Sequence, residues 1–106
     1  MSDFVRVCTT DQLPEVGAVV ADFDGRRVAI VRDSYGDVHA IDDTCTHANV
    51  SLAEGEVEGR TLECWLHGSR FDLVNGEPTG LPATVPVAVH TVKIEGPDVY
   101  VALTND

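Results

Sequence analysis

Four residues of this chain carry metal-binding donor atoms at a spacing that sets them apart. Cys45 and His47 form one knuckle, Cys-Thr-His. After sixteen intervening residues, Cys64 and His67 form a second, Cys-Trp-Leu-His, followed by Gly68 and Ser69. Each knuckle offers one thiolate and one imidazole. Thiolate suits soft zinc or iron–sulfur chemistry, whereas imidazole also suits iron, copper and zinc. A mononuclear zinc finger groups its ligands as a cysteine pair followed by a histidine pair. The order here, Cys-His and then Cys-His, suits two metal atoms spanned by both loops, one taking the two cysteines and the other the two histidines. A structural zinc domain built on the same four ligands is the alternative, and visible absorption separates the two, because zinc is colourless.

The elements that must hold these knuckles read as strands. Short runs of alternating or apolar residues broken by turn dipeptides predict an all-β fold, an antiparallel sandwich or barrel. Phe4 to Cys8 alternates as a first strand. Ala18 to Phe23 and Arg26 to Arg32 flank Asp24-Gly25, a hairpin signal because Gly accepts positive φ. A turn at Ser34-Tyr35-Gly36-Asp37 leads into Val38 to Asp42. Residues 43 to about 80 then form a small inserted subdomain that carries the metal ligands. Within it, Glu56 to Leu62 reads as a short hairpin that places Cys64 at a strand end, and Arg70 to Leu73 as a strand ended by Asn75-Gly76. The chain returns through a Pro/Gly-rich loop, a strand over Val85 to Glu95, a turn at Gly96-Pro97-Asp98 and a last strand over Val99 to Leu103. No window carries a sustained 3.6-residue apolar stripe, so helix is scarce.

Length and composition bound the possibilities further. The 106 residues make one domain, 1–106, since domains commonly run to about 100–150 residues. The formal net charge is −11, from 18 acidic and 7 basic residues, which argues against nucleic acid as a partner because phosphate binding needs a basic patch. The charge keeps the protein soluble, favours a monomer through self-repulsion, and can steer the protein toward basic docking sites. No apolar run approaches the roughly 20 residues that span a bilayer. Met1 to Arg6 has neither a basic n-region nor an apolar h-region, so a cytoplasmic protein without a membrane partner is expected. Of three cysteines, Cys8 lies outside the knuckles on a predicted strand and reads as a small buried hydrophobe.

The pattern C-x-H-x16-C-x2-H followed by Gly68-Ser69-Arg70-Phe71-Asp72 resembles the Rieske [2Fe–2S] family, and within it the small ferredoxins that feed electrons to bacterial ring-hydroxylating dioxygenases. The likeness runs from Val38 to Leu103 and includes Asn49-Val50-Ser51-Leu52-Ala53-Glu54-Gly55 between the knuckles. It implies a Rieske-like β-fold and one [2Fe–2S] cluster held by Cys45, His47, Cys64 and His67. It also implies a one-electron carrier, not a catalyst, working between a ferredoxin reductase and a terminal oxygenase or another redox protein. Electrons would leave through His47 and His67, which in the family sit at the tip of the protein. A second context, iron–sulfur cluster assembly, is open as well, because Cys64-Trp65-Leu66-His67 also resembles ferredoxins of that kind.

Charge balance explains in sign why histidine in place of cysteine raises the potential. Two ferric ions and two sulfides sum to +2, which two thiolates cancel, so the oxidised site is neutral and the reduced site −1. An all-cysteine cluster passes from −2 to −3, which costs more, and Rieske centres accordingly lie at roughly −150 to +300 mV. Respiratory members of the family have a disulfide between the knuckles, at positions held here by Val50 and Leu66, and a Tyr hydroxyl to a ligand sulfur where Phe71 stands. A donor to sulfur stabilises the reduced cluster. Lacking it, this chain is expected at the low end of the range, with Ser69 left to give one hydroxyl hydrogen bond. Gly68 permits backbone approach to the cluster. Trp65 stands where family members often have Pro and reads equally as a partner contact or as a lid on the knuckle. Gly80 to Ala83 resembles the Pro-containing loop that shields the cluster. His39 and His90 read as strand or surface histidines. A terminal oxygenase also needs a mononuclear iron on two further histidines and a carboxylate, and after His67 only His90 follows.

Overall fold

Alternating apolar residues between glycine-bearing turns give a chain of short strands that close on one another. The structure, a computed structural model, describes residues 4–23, 25–44, 51–65, 70–79 and 85–103. The strands are β1 (Val5–Thr9), β2 (Gly17–Phe23), β3 (Arg26–Arg32), β4 (Val38–Asp42), β5 (Val57–Glu58), β6 (Thr61–Glu63), β7 (Arg70–Asp72), β8 (Val89–Glu95) and β9 (Asp98–Ala102). Single 3-10 turns at Thr10–Gln12 and Leu52–Glu54 are the helical elements among the described residues. Six strands form an antiparallel, nearly closed barrel-like sheet in the order β1-β9-β8-β4-β3-β2, and β5-β6-β7 form a small second sheet. The expected all-β architecture with an inserted smaller unit is the one observed.

Strand β3 explains why two sheets suffice. Its run Arg-Arg-Val-Ala-Ile-Val-Arg is apolar on both faces, the pattern of a strand covered on both sides. Val28 and Ile30 join Cys8, Leu13, Ala40, Val99 and Val101 in one core, inside the curl of the large sheet. Ala29 and Val31 face the opposite way, into a core shared with Ile41, Leu52, Leu62, Cys64, Phe71, Leu73 and Val87. The second core is the one that positions the site.

Two boundaries differ from expectation. Strand β1 ends at Thr9 and shifts register between Arg6 and Cys8, a bulge of the kind that re-aims side chains; Cys8 is buried beyond it. The strand expected from Val85 begins only at Val89. Pro86 has no N–H to give to a ladder. The neighbouring backbone groups instead serve the junction, Val87 N donating to Gly76 O at 2.9 Å and Asp42 N to Ala88 O at 3.0 Å.

Candidate metal centre

Cys64 follows β6 directly and is fully buried. Its neighbours in the second core are spread along the chain in a telling way. Ile41 precedes residues 45–50 and Leu52 follows them. Leu62 and Cys64 precede 66–69 and Phe71 follows. Leu73 precedes 80–84 and Val87 follows. The flanks of all three stretches are therefore packed on one apolar cluster. Cys45, His47 and His67, together with Val50, Leu66, Gly68, Ser69 and Gly80 to Thr84, lie outside the described residues.

Hydrogen bonds tie these flanks in pairs. Thr44 and Ser51 form an antiparallel bridge across the first stretch. Asp43 N donates to Arg27 O at 3.1 Å, and Leu52 N donates to Asp43 O at 2.6 Å. The buried Asp43 carboxylate accepts from Ser51 Oγ at 2.8 Å and from Ala53 N at 3.0 Å. Across the second stretch Glu63 pairs with Arg70 in the β6–β7 ladder. The Arg70 guanidinium reaches Glu63 at 3.4 Å and Glu58 at 3.3 Å. Phe71 bridges to Pro78, which leads toward the third stretch. Gly55 lets the first flank lie against the second: a Cβ there would overlap the Glu63 carbonyl, and Glu63 N donates to Glu56 O at 2.8 Å.

A second network fastens this small sheet to the large one. Asp33 is fully buried and accepts from Tyr35 N and Asp37 N, with His39 Nε2 at 2.7 Å and Arg60 Nε at 3.5 Å from its carboxylate. Arg60 also pairs with Asp37 and lies 4.6 Å over the Tyr35 ring. Ser34 N donates to Gly59 O, and Gly59 N to Ser34 Oγ, each at 3.0 Å. Burial pushes the Asp33 carboxyl up, but the hydrogen bonds from His39, Asp37 and Tyr35 outweigh it and leave its pKa below the ordinary 3.8.

Neither remaining histidine lies on these flanks as a spare ligand. His39 sits on β4 beside Asp33, and His90 is buried on β8, 2.9 Å from Asp42, which Arg26 also holds. Both are strand histidines, His90 an interior one. Trp65 is half exposed. Sequence reasoning passed over Asp33 and Asp43, whose types are ordinary in turns; the signal at Asp43 is its place two residues before Cys45.

What is described of the donor set fits an iron–sulfur cluster. Cys64 is buried in an apolar core and Cys8 lies in the other core, so the two form no disulfide with each other. A thiolate ligand in such surroundings is shielded from water, while the adjoining polar clasps fix the backbone that carries it. Among the described elements, no helix is long and apolar enough to cross a membrane.

Comparison with known proteins agrees with this chemistry. Residues 3–93 match the Rieske [2Fe-2S] domain family. The chain is 36% identical over 98 residues to the ferredoxin component of biphenyl 2,3-dioxygenase from Rhodococcus jostii, covering 92% of this chain and 91% of that protein. Among solved structures it resembles the ferredoxin of carbazole 1,9a-dioxygenase from Nocardioides aromaticivorans, with a TM-score of 0.88 and 39% identity over 95% of this chain and 98% of that one. It also matches, at a TM-score of 0.88 and 31% identity over 97% of each chain, a chain from the complex of reduced oxygenase and oxidized ferredoxin in carbazole 1,9a-dioxygenase. The chain therefore belongs to the Rieske [2Fe-2S] domain family, as a cluster-binding ferredoxin that carries electrons and is not itself a catalyst.

Proposed function

We propose that this chain is a single Rieske domain, 1–106, in which Cys45 and Cys64 supply thiolates, and His47 and His67 imidazoles, to one [2Fe–2S] cluster. The observation that carries the assignment is the burial of Cys64 in the one apolar cluster that also anchors the flanks of 45–50 and 66–69. Two loops rooted on a shared core can bring their donors to a common centre, which the Cys-His, Cys-His order requires. The cluster, when bound, takes up one electron and gives it back. The chain's own contribution is to fix the donors, keep water from the cysteine side, and present the histidine side to a partner.

The partners we assign are a ferredoxin reductase as donor and the terminal oxygenase of a ring-hydroxylating dioxygenase as acceptor. Support comes from relatives named as dioxygenase ferredoxin components and from the likeness to a ferredoxin–oxygenase complex. We further propose a cytoplasmic protein and, on the strength of the −11 charge and its self-repulsion, a monomer.

The test is visible absorption and EPR of the reduced protein, followed by a redox titration. A red-brown protein with a rhombic Rieske signal and a midpoint near the low end, about −150 mV, supports the assignment. A colourless, zinc-containing protein rejects it. A Rieske signal with a midpoint above about +100 mV keeps the cluster but refutes the argument from Val50, Leu66 and Phe71.

A further inference from the structure

Three consecutive residues after the first ligand stretch direct a donor at a single residue before it. Ser51 Oγ and Ala53 N donate to the Asp43 carboxylate, and Leu52 N donates to the Asp43 carbonyl. The Asp43 amide is in turn pinned to Arg27 O on the large sheet, and the Arg27 guanidinium lies 3.6 Å from the second carboxylate oxygen. Leu52 buries its side chain in the core that holds Cys64. Asp43 is thus the knot that fastens both ends of 44–51 to the sheet behind it and, through Leu52, to the core beneath Cys64.

A carboxylate is costly to bury and is retained where its hydrogen bonds fix something. The nearest thing it fixes here is the stretch bearing Cys45 and His47. We propose that Asp43 is the positioning residue for these two ligands, setting the relation of the first knuckle to Cys64 and so the geometry of the bound cluster. The inference rests on the ligand assignment above. It requires an acceptor at this position more than a charge. Asn can offer its amide oxygen to Ser51 and Ala53, and the half-exposed Arg27 can swing away.

The experiment compares Asp43→Ala, Asp43→Asn and, as a control, Asp33→Ala, a loss of an equally buried carboxylate remote in sequence from the knuckles. For each, iron per protein, the EPR g values of the reduced cluster and the far-UV melting curve are measured. Asp43→Ala is expected to lose iron severalfold and to shift or broaden the g values of what remains. Asp43→Asn should restore wild-type g values, while Asp33→Ala should lower the melting temperature and leave the g values in place. Full iron content and unchanged g values in Asp43→Ala overturn the proposal, as does an equal EPR change in Asp33→Ala, which would make the effect one of general stability. If Asp43→Ala does not fold, Ser51→Ala replaces it and should shift the g values in the same direction to a smaller extent; an unaltered spectrum there overturns the proposal. The wild-type spectrum is recorded first: absence of a Rieske signal rejects the ligand assignment, and its presence with an unaltered Asp43→Ala rejects only the role of Asp43.

Discussion

Two of the cysteines are chemically distinct because they sit in different cores. Cys64 borders the stretches proposed to bear the other ligands, whereas Cys8 faces the interior of the large sheet and burial pushes its thiol pKa up. A raised thiol pKa and poor access both slow alkylation. Cys64→Ser should therefore yield protein with little iron. Cys8→Ser should keep its full iron content, and Cys8 in the folded protein should resist iodoacetamide until denaturant is added. Asp33 provides a pH test. Its folded pKa lies below the ordinary 3.8, so the stability it contributes is present above that value and is lost as pH falls through the lower folded pKa. The melting-temperature gap between wild type and Asp33→Asn should be full near pH 6 and should close progressively below about pH 4. Phe71 tests the potential. Phe71→Tyr, if its hydroxyl donates to a ligand sulfur at a net worth of about 1 kcal/mol, should raise the midpoint by roughly 40 mV at 59 mV per decade for one electron; a titration that shows no rise removes the hydroxyl argument.

The small sheet depends on how closely backbones approach. Gly55 has an ordinary φ of −85° but no room, since a Cβ would strike the Glu63 carbonyl, a backbone atom that cannot swing aside. Gly25 is the reverse case, with φ +92° and open space around it. Gly55→Ala should cost about 1–3 kcal/mol by overpacking and, by pushing the first flank off β6, should also lower iron content. Gly25→Ala should cost about 1 kcal/mol through backbone strain alone with iron content unchanged. Urea unfolding and iron analysis of both variants check the contrast. The Arg60 clasp is half exposed, so its loss in Arg60→Ala should cost no more than about 1 kcal/mol.

Across the whole molecule, charge has the longest reach. At −11, a long-range field attracts a basic docking site and is screened with a Debye length near 10 Å at 0.1 M salt. The second-order rate of electron transfer to the proposed oxygenase partner should therefore fall steeply with ionic strength. A rate flat in salt would assign the acidic surface to solubility alone.

The chemistry and the outline of the fold are legible in the chain without coordinates. Ligand identity is a matter of side-chain type, and the proposal of Cys45, His47, Cys64 and His67 rests on their order and spacing. Strand boundaries followed alternation and turn residues closely, because both are local: Arg26–Arg32, Val38–Asp42 and the hairpin leading to Cys64 are where the pattern puts them. The strand at Val85 failed because a proline and the backbone demands of a distant turn at Gly76 outweighed an apolar pattern. That Asp33 and Asp43 are interior clasps, and that His90 is buried, emerges only from the folded chain. Folding likewise assigned the two faces of β3 to separate cores and packed the flanks of three separate stretches on one apolar cluster. These features depend on residues far apart in the chain meeting across a sheet, and no local pattern of an aspartate reveals whether its partners will arrive.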